Sequence, residues 1–489
     1  MKKTENMNKR KTHKKRLVSL IAIFALLIGC TSCKKETPRE ALEKAFDKTF
    51  SAESPVENLL GISKINEAIN NNEPYSSGLS ATIENISGEL FGDYASLISG
   101  LGFSSDSALD ITKKRYQSTL GISYGGTTYF TVGVHLDGSK LYLTVPQLLN
   151  GNISLDFSSL REDLVSDSFF GQLFTQLLTT YGGSLPEDFT LPENFSIDVW
   201  ELFTTGDMNI DTTLPKNITD AYDEMNKQIA VEEIKKNEAK LPDGVSAKNV
   251  YTMTIPKKAY KDFAAVIVQF GLDSFFELLD DENLSALEEL DMPDQEDIDD
   301  FLEDLSDTIG DIVLTVAVTK DGYISYMTST LDIDGSTVDF SASFSGKKSP
   351  LEEVDVKVSA KIDGEKVSFS FTQKYDSDKK TATYNSKISA GDFTAKIAWE
   401  GEYSNVEKGK KYTFNLNYFE CDFSEDMSFT ISASNYMDIT KCEISDVTGR
   451  EYELLKMDQS ALLGLVTEVM VNVQNDPMLS GLLGILGLE

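Results

Sequence analysis

The segment Val354-Asp-Val-Lys-Val-Ser-Ala-Lys-Ile362 decides the fold class, because its apolar and polar residues alternate strictly. Successive side chains of a β-strand point to opposite faces, so the apolar residues share one face and the polar residues share the other. Val367, Phe369 and Phe371 repeat this pattern a few residues later. The two segments predict antiparallel strands with one apolar and one solvated face.

The alternation continues through most of the chain after Asp311. Asp-Gly pairs separate several of these segments, and such pairs favour tight hairpin turns because both central residues adopt positive φ. The predicted strands are 312–319, 323–332, 337–345, 354–362, 366–374, 381–388, 393–400, 412–423 and 428–435. They form a long meander whose apolar face has to be covered.

The first half of the chain mixes strands and helices. A strand at 78–86 is followed by three hairpin-linked strands at 118–124, 127–135 and 139–145. Thr37-Pro-Arg-Glu40 is a capping box that opens a helix. Further helices are predicted at 169–181, 218–240, 256–279 and 460–488, the last interrupted at Pro477.

Residues 280–307 contain 14 Asp and Glu and no Lys or Arg. Ile298, Phe301, Leu302 and Leu305 keep helical spacing within this segment. We therefore interpret it as the solvated face of an amphipathic helix, since the spacing of an EF-hand is absent.

A short internal similarity links two places in the chain. Leu155-Asp-Phe-Ser-Ser-Leu160 and Met457-Asp-Gln-Ser-Ala-Leu462 both end a strand and open an apolar helix, with an Asp placed to cap the helix. The pair predicts two related strand-then-helix units.

These elements predict an α+β fold, with a large curved antiparallel meander as an incomplete barrel and helices on its apolar face. The expected domains are an N-terminal α+β unit at 37–310, with a helical, acidic segment at 256–310, and a C-terminal meander with a closing helix at 311–489.

Composition argues against several functions. Removing the eight Lys and Arg and the one Glu of residues 1–29 from the chain's 45 basic and 79 acidic residues leaves a net charge of −41. Such an acidic chain lacks the basic footprint of nucleic-acid binding. His135 is the only histidine after residue 29, which excludes Ser-His-Asp triads and multi-histidine metal sites. We expect His135 at the surface or half-buried on a strand. We expect no enzyme, cofactor or metal, although a carboxylate-based hydrolase remains an alternative.

The four cysteines fall into two groups. Cys421 and Cys442 are not expected to form a disulfide, because a simple meander places them on strands that are not neighbours, about 9.6 Å apart. Cys30 and Cys33 follow eight Lys and Arg and an apolar run from Leu17 to Gly29. A basic segment, about 13 apolar residues and a small residue are typical of a secretory signal.

Leu27-Ile-Gly-Cys30 resembles the lipobox of bacterial lipoproteins. The resemblance implies that residues 1–29 are a signal peptide cleaved after Gly29, that Cys30 carries the diacylglyceryl thioether and fatty acids such as palmitate, and that residues 30–36 are a tether. It also implies a protein anchored by lipid in the cell membrane and facing outside the cytoplasm.

A one-sided curved sheet under helices, behind a lipobox, also resembles the LolA-like lipoprotein superfamily. That resemblance is architectural, covers most of 37–489, and implies an incomplete barrel that holds acyl chains. We therefore expect a lipid-anchored binding protein for a lipid or another apolar molecule. Its candidate apolar wall, under the helices at 256–306 and 460–488, consists of Phe340, Val356, Val358, Phe369, Phe371 and Ile397. The alternative is an anchored cell-envelope interaction or structural protein without a small-molecule ligand.

The assignment of Cys30 predicts that Cys30→Ser abolishes the incorporation of a metabolically supplied, labelled fatty acid and releases or mislocalises the protein. Unchanged labelling in this variant would move the predicted lipidation site to Cys33 or contradict the prediction of lipidation.

Overall fold

The computed structural model describes residues 37–51, 54–88, 91–92, 95–181, 197–200, 215–277, 295–333, 336–362, 365–391, 393–423 and 427–476. The predicted signal peptide and tether, with Cys30 and Cys33, lie outside these residues. So do 278–294 of the acidic segment, the end of the closing helix after Asp476, and the Asp-Gly pairs at 334–335 and 363–364.

Ten helices are described. They are α1 (Pro38–Phe50), α2 (Pro55–Leu60), α3 (Ile62–Asn70), α4 (Ala95–Ile98), α5 (Leu160–Leu164), α6 (Phe169–Tyr181), α7 (Lys216–Gln228), α8 (Lys257–Glu277), α9 (Gln295–Ile309) and α10 (Gln459–Asn475). Within the described ranges, no helix combines the length and the hydropathy needed to cross a membrane.

Eighteen strands form one open sheet that is mostly antiparallel. The first nine are β1 (Tyr75–Ser87), β2 (Leu101–Asp110), β3 (Arg115–Tyr124), β4 (Thr127–Asp137), β5 (Lys140–Thr144), β6 (Asn152–Asp156), β7 (Ala230–Ile234), β8 (Asn249–Ile255) and β9 (Ile312–Val318). The others are β10 (Ile324–Ile333), β11 (Ser336–Ser345), β12 (Glu353–Ile362), β13 (Glu365–Asp376), β14 (Thr381–Ala390), β15 (Phe393–Glu407), β16 (Lys411–Phe423), β17 (Met427–Asp438) and β18 (Glu451–Glu453). The predicted fold class, α+β with an incomplete barrel, is confirmed.

The chain divides into two compact units. Unit 1 comprises 1–58, 211–398 and 422–424, and unit 2 comprises 59–210, 399–421 and 425–489. This division differs from the predicted boundary at 310/311, which lies inside unit 1. The sequence changes there from helix to strand, but β9 pairs along its whole length with β8 from before that boundary.

Unit 1 buries the apolar face of its meander under helices. β7 to β14 pair in chain order, each with the next, and α1, α7, α8 and α9 contribute side chains to one core with β8 to β12. Leu42 of α1, Met225 of α7 and Leu314 of β9 are almost completely buried in this core. The capping box of α1 is present as predicted, with the Glu40 backbone N–H donating to Thr37 and the Thr37 N–H donating to Glu40.

Unit 2 is a second run of neighbouring strands. β17 pairs with β1, and β1 to β6 follow in chain order, all antiparallel. β18 closes the run as a parallel neighbour of β6. Gly125 and Gly126 both have positive φ, as predicted for the tight turn between β3 and β4.

The internal similarity of the sequence is explained by this parallel pair. Asp156 follows β6 and accepts a hydrogen bond from the Ser158 N–H, and Asp458, shortly after β18, accepts one from the Ala461 N–H. The two segments therefore enter their helical turns from neighbouring strands of the same unit. Both predicted caps are confirmed.

Two segments differ from their predicted secondary structure. The helix expected at 218–240 ends at Gln228, and β7 follows it because this segment pairs with β8. β2 was not predicted, since its sequence is rich in Ser, Gly and Asp, yet it pairs along both sides with β1 and β3. Tertiary pairing overrides local preference in both places.

Gly78 of β1 leaves room for a cross-strand contact in unit 2. An ideal Cβ built on Gly78 would lie 2.3 Å from Tyr436 Cε1 and 2.6 Å from Asp106 Oδ1. The missing side chain allows the Tyr436 hydroxyl to reach across β1 and donate to Asp106 at 3.1 Å.

We predict that Gly78→Ala lowers the free energy of unfolding by about 1–3 kcal/mol, because the methyl group forces Tyr436 and Asp106 to move. Urea denaturation measures the change. Ser80→Ala, at an exposed position on the same face of β1, is the matched control and should stay within about 0.5 kcal/mol of the parent. Equal losses in the two variants would contradict the steric explanation.

Candidate functional site: an open apolar sheet face in unit 2

Part of the predicted apolar wall lies in the core of unit 1. Phe340 pairs with Val358 across β11 and β12, and both side chains are buried in the cluster beneath the helices. Val356 and Phe369 are partly buried against the same cluster. These residues support the fold, because the space above them is already filled by α1, α7, α8 and α9.

The remaining wall positions are half-buried. Phe371 makes an edge-to-face contact with Tyr384, with ring centroids 5.2 Å apart, and Ile397 lies on β15. The predicted cover from 256–306 is present as α8 and α9. The other predicted cover, α10, packs instead against Leu149 and Tyr452 of unit 2.

One cavity between described residues beneath the helices of unit 1 is small. A cavity of about 40 Å³ lies between α1, α7 and the sheet, and its lining includes Leu42, Phe46, Tyr222 and Met253. That volume is close to the ~30 Å³ that one water molecule occupies in the liquid. This cavity has no room for an acyl chain.

Unit 2 presents its apolar face differently. The register of β1 to β4 aligns side chains in rows across the strands, and one row contains Ala81, Phe103, Ile122 and Phe130. The neighbouring row contains Leu79, Ser105, Leu120 and Val132. We call these two rows, together with Leu101, the apolar face.

Five large side chains of the apolar face are exposed, whereas Phe130 and Val132 are half-buried. Leu79, Leu101, Phe103, Leu120 and Ile122 have between 38% and 46% of their surface accessible. The corresponding row in unit 1 is buried at Phe340 (5%) and Val358 (3%), half-buried at Phe369 and exposed at Ile388 of β14 (44%). Exposed contiguous apolar residues mark binding or interaction surfaces. The contrast makes the apolar face of unit 2 the candidate site.

One end of the apolar face is closed by a tryptophan. Trp200 packs in a cluster with Leu109 of β2 and Leu136 of β4, and its indole N–H donates to the Gly138 carbonyl at 2.6 Å. Between this cluster and the apolar face, Ser107 and Ser118 share a hydroxyl hydrogen bond of 2.9 Å. Among the described residues, this cluster borders the apolar face at one end, and large side chains of the two rows beyond it are accessible.

The opposite face of the same strands is polar and carries a crossing segment. Residues 439–450, which we call the strap, leave β17 beside β1 and reach β18 beside β6. Seven strand spacings of about 4.8 Å separate β17 from β18, or roughly 34 Å, which twelve residues span only when nearly extended. The strap therefore lies across the strands without forming regular structure.

Hydrogen bonds fasten the strap at several strands. The Ser76 hydroxyl donates to the Lys441 carbonyl at 2.8 Å, and the Ser445 N–H donates to Gln117 Oε1 at 2.9 Å. Arg115 donates to Asp446 at 2.8 Å, and the Asn152 side chain donates to the Thr448 carbonyl at 2.9 Å. The strap therefore covers part of the polar face, and the apolar face lies on the other side of the strands.

His135 lies on the polar face and is 6% exposed. The predicted surface or half-buried position is therefore wrong, because the strap and the neighbouring strands enclose the ring. Its Nε2 atom is buried and has no hydrogen-bond partner among the described residues, and the ring makes an edge-to-face contact with Tyr142. Burial lowers the pKa of His135, the Arg115 guanidinium lowers it further, and Asp137 and Asp446 oppose these effects.

A polar groove of about 320 Å³ lies beside the strap in unit 2. Three carboxylates line it, those of Asp106, Asp438 and Glu443. Each has a partner: Asp106 accepts from Tyr436, Asp438 accepts from the Thr440 N–H and hydroxyl, and Glu443 pairs with Lys441 at 3.1 Å.

Cys421 and Cys442 are the cysteines of the described residues, and no disulfide joins them. Cys421 is buried on β16, and the Cys442 thiol of the strap is half-buried 3.5 Å from the Leu109 carbonyl. In the part of the chain that the structure describes, no three His, Cys, Asp or Glu side chains form a group that could hold a metal ion.

Comparison with known proteins adds little to this geometry. No protein family and no curated protein matches the sequence. Similar solved structures include a double mutant of the vaccine antigen transferrin-binding protein B from Haemophilus parasuis Hp5, at 9% identity over 75% of each chain with a TM-score of 0.10. Another is a mutant of the TodX monoaromatic hydrocarbon channel, at 8% identity over 75% of this chain and 89% of that chain with a TM-score of 0.12. Likenesses this weak carry no argument about fold or function.

Sequence reasoning missed the apolar face of unit 2, although a signal for it exists. Residues 116–134 contain no Lys, Arg, Asp or Glu. A segment of this length at the chain's 25% of charged residues would hold about five. The missing charges indicate that the surroundings of β3 and β4 differ from those of an ordinary solvated hairpin.

The burial of His135 predicts an acid-sensitive unit 2. The pKa of His135 is lower in the folded state than in the unfolded state, so the unfolded state binds more protons. The free energy of unfolding should therefore fall as the pH drops through the pKa of the unfolded state, near 6.5. His135→Gln should flatten the decline in the free energy of unfolding between pH 7 and pH 5.5. Chemical denaturation at each pH measures the decline. Parallel curves for parent and variant would contradict the assignment.

Proposed function

We propose that this protein is a lipid-anchored, extracytoplasmic binding protein whose apolar face in unit 2 holds the acyl chain of a lipid or a similar apolar molecule. The observation that carries the proposal is the exposure of Leu79, Phe103, Leu120 and Ile122 in two adjacent rows of one sheet. A lipobox-like sequence at Cys30 supports a location where such molecules are abundant.

The energetics favour an apolar ligand without any polar motif. Burial of one methylene group contributes about 0.8 kcal/mol, so a chain that covers both rows gains several kilocalories per mole before the cost of association. The residues of unit 1 expected to form the wall cannot supply this surface, because Phe340 and Val358 are already covered.

We propose binding rather than catalysis. Three carboxylates share the polar groove, the arrangement that would favour a hydrolase, but all three accept hydrogen bonds or ion pairs from neighbouring groups. His135 is enclosed beneath the strap and is unavailable to a substrate in this arrangement.

The polar groove favours a second function, that of an anchored interaction protein. Its lining includes Tyr436, Gln117 and Lys441 beside the carboxylates, and it opens to solvent on the polar face. A polar partner of the cell envelope fits this surface, whereas an acyl chain fits the opposite face.

Photocrosslinking tests the proposed function. Membranes that contain the full chain are illuminated with a diazirine fatty acid, and crosslinked peptides are mapped by mass spectrometry. We expect crosslinks within residues 101–124, and unlabelled fatty acid should compete them away, because a binding site saturates and bulk lipid does not.

Phe103→Asp should reduce the competable crosslinking at least several-fold, because a carboxylate in the middle of the apolar face opposes burial of an acyl chain. Phe393→Asp is the matched control: Phe393 is 45% exposed in unit 1, against 43% for Phe103. Crosslinking that is not saturable, or that falls equally in both variants, would reject the carrier and favour the interaction protein.

A further inference from the structure

At one end of the sheet in unit 2, the segments around the turn between β3 and β4 contain no charged residue, although Glu84 of the neighbouring β1 lies close by. We call residues 99–103 and 122–130 the rim; they cover the start of β2, the end of β3, the Gly125-Gly126 turn and the start of β4. The rim contains no Lys, Arg, Asp or Glu, and it belongs in part to the uncharged run 116–134.

Four large side chains of the rim are exposed. Leu101, Phe103, Ile122 and Tyr129 are between 37% and 43% exposed. The turn itself is open, since a Cβ on Gly125 or Gly126 would meet no atom within 4 Å.

The rim is held in place by backbone contacts. The Gly125 N–H donates to the Gly100 carbonyl at 2.9 Å, and the Gly100 N–H donates to the Ile83 carbonyl at 2.7 Å. The Tyr124 hydroxyl donates to the Ser96 carbonyl at 3.3 Å. The apolar side chains therefore stand on ordered strands and turns.

This combination matches the interface of a lipid bilayer. A hairpin that faces water usually carries charged residues, and the rim carries none. Exposed tyrosine and apolar side chains without charges are typical of the interfacial zone of a membrane. Charge complementarity points the same way, because a chain with net charge −41 after residue 29 is not held to an anionic surface by electrostatics, so its contact has to be apolar.

The expected lipid anchor also limits how far the start of unit 1 can lie from the membrane. Six residues, 31–36, lie between Cys30 and Thr37, the first described residue, and an extended chain spans at most about 25 Å from Cys30 to Thr37. The start of unit 1 thus stays close to the membrane. The rim is continuous with the apolar face through Phe103 and Ile122, so an acyl chain that enters there need not cross water.

We propose that the rim of unit 2 inserts into the interfacial zone of the lipid bilayer, with Tyr129 and the Gly125-Gly126 turn in contact with lipid. The role of this contact as an entry for acyl chains rests on the proposed function. The contact itself depends only on the rim.

Fluorescence depth measurement tests the insertion. Thr128→Cys places a thiol on the exposed rim of the full chain, in a Cys33→Ser background, and Lys379→Cys places one on an exposed turn of unit 1 as the control. Each variant carries a nitrobenzoxadiazole label and is reconstituted in phosphatidylcholine vesicles. The background without an added cysteine corrects for labelling of the remaining thiols.

We expect the label at 128 to emit at shorter wavelength, to be quenched several-fold more strongly by nitroxide lipids, and to resist aqueous iodide. The label at 379 should behave as in water. Phosphatidylglycerol should not increase the protection at 128, since the contact is apolar. Tyr129→Asp should reduce it, with circular dichroism confirming the fold.

Equal access of iodide to both labels would overturn the proposal. Protection at 128 in native membranes but not in vesicles would also overturn it and would indicate a protein partner. The outcome is separable from the proposed function: saturable fatty-acid crosslinking with a water-exposed rim rejects only the insertion, and an inserted rim without saturable crosslinking rejects only the carrier.

Discussion

The apolar face of an antiparallel sheet must be removed from water, and the way each unit meets this constraint explains most of the structure. In unit 1, four helices cover β8 to β12, and the buried side chains form one large core. In unit 2, the described residues cover one end of the face, at Trp200, and leave rows of large side chains accessible. About 25 cal/mol is lost for each Å² of apolar surface left in water, so such a face persists where a ligand, a partner or a lipid occupies it.

The two faces of unit 2 have opposite roles. The strap crosses the polar face, and its bonds to Ser76, Gln117, Arg115 and Asn152 connect strands from β1 to β6. This side is thereby closed over His135, while the polar groove beside the strap offers a solvated surface. The large side chains of the apolar face lie on the other side of the strands and stay accessible.

Much of the fold was predictable because it depends on local pattern. Strict alternation at 354–362 and Gly-Gly at 125–126 specify strands and turns through the geometry of the backbone, and Thr37, Asp156 and Asp458 specify helix starts through their caps. β2 and β7 were not predictable, since their sequences favour turns or helix and only pairing with distant strands stabilises them. Alternation also shows that Phe340 and Phe103 each lie on the apolar face of their strand. Whether helices cover that side depends on contacts between distant segments, which is why the expected wall fell in the core of unit 1 and the open face of unit 2 was missed.

Native mass spectrometry of the full chain, released from its own membranes in mild detergent, can show whether the protein holds an acyl-chain lipid. Gas-phase activation strips the detergent first, then a non-covalent ligand, and leaves any covalent lipid in place. We expect a population of protein ions that carries a non-covalent adduct with the mass of an acyl-chain lipid, which organic extraction then identifies. Folded protein whose ions all appear at the mass of the chain with its covalent modification alone would contradict an acyl-binding face in unit 2.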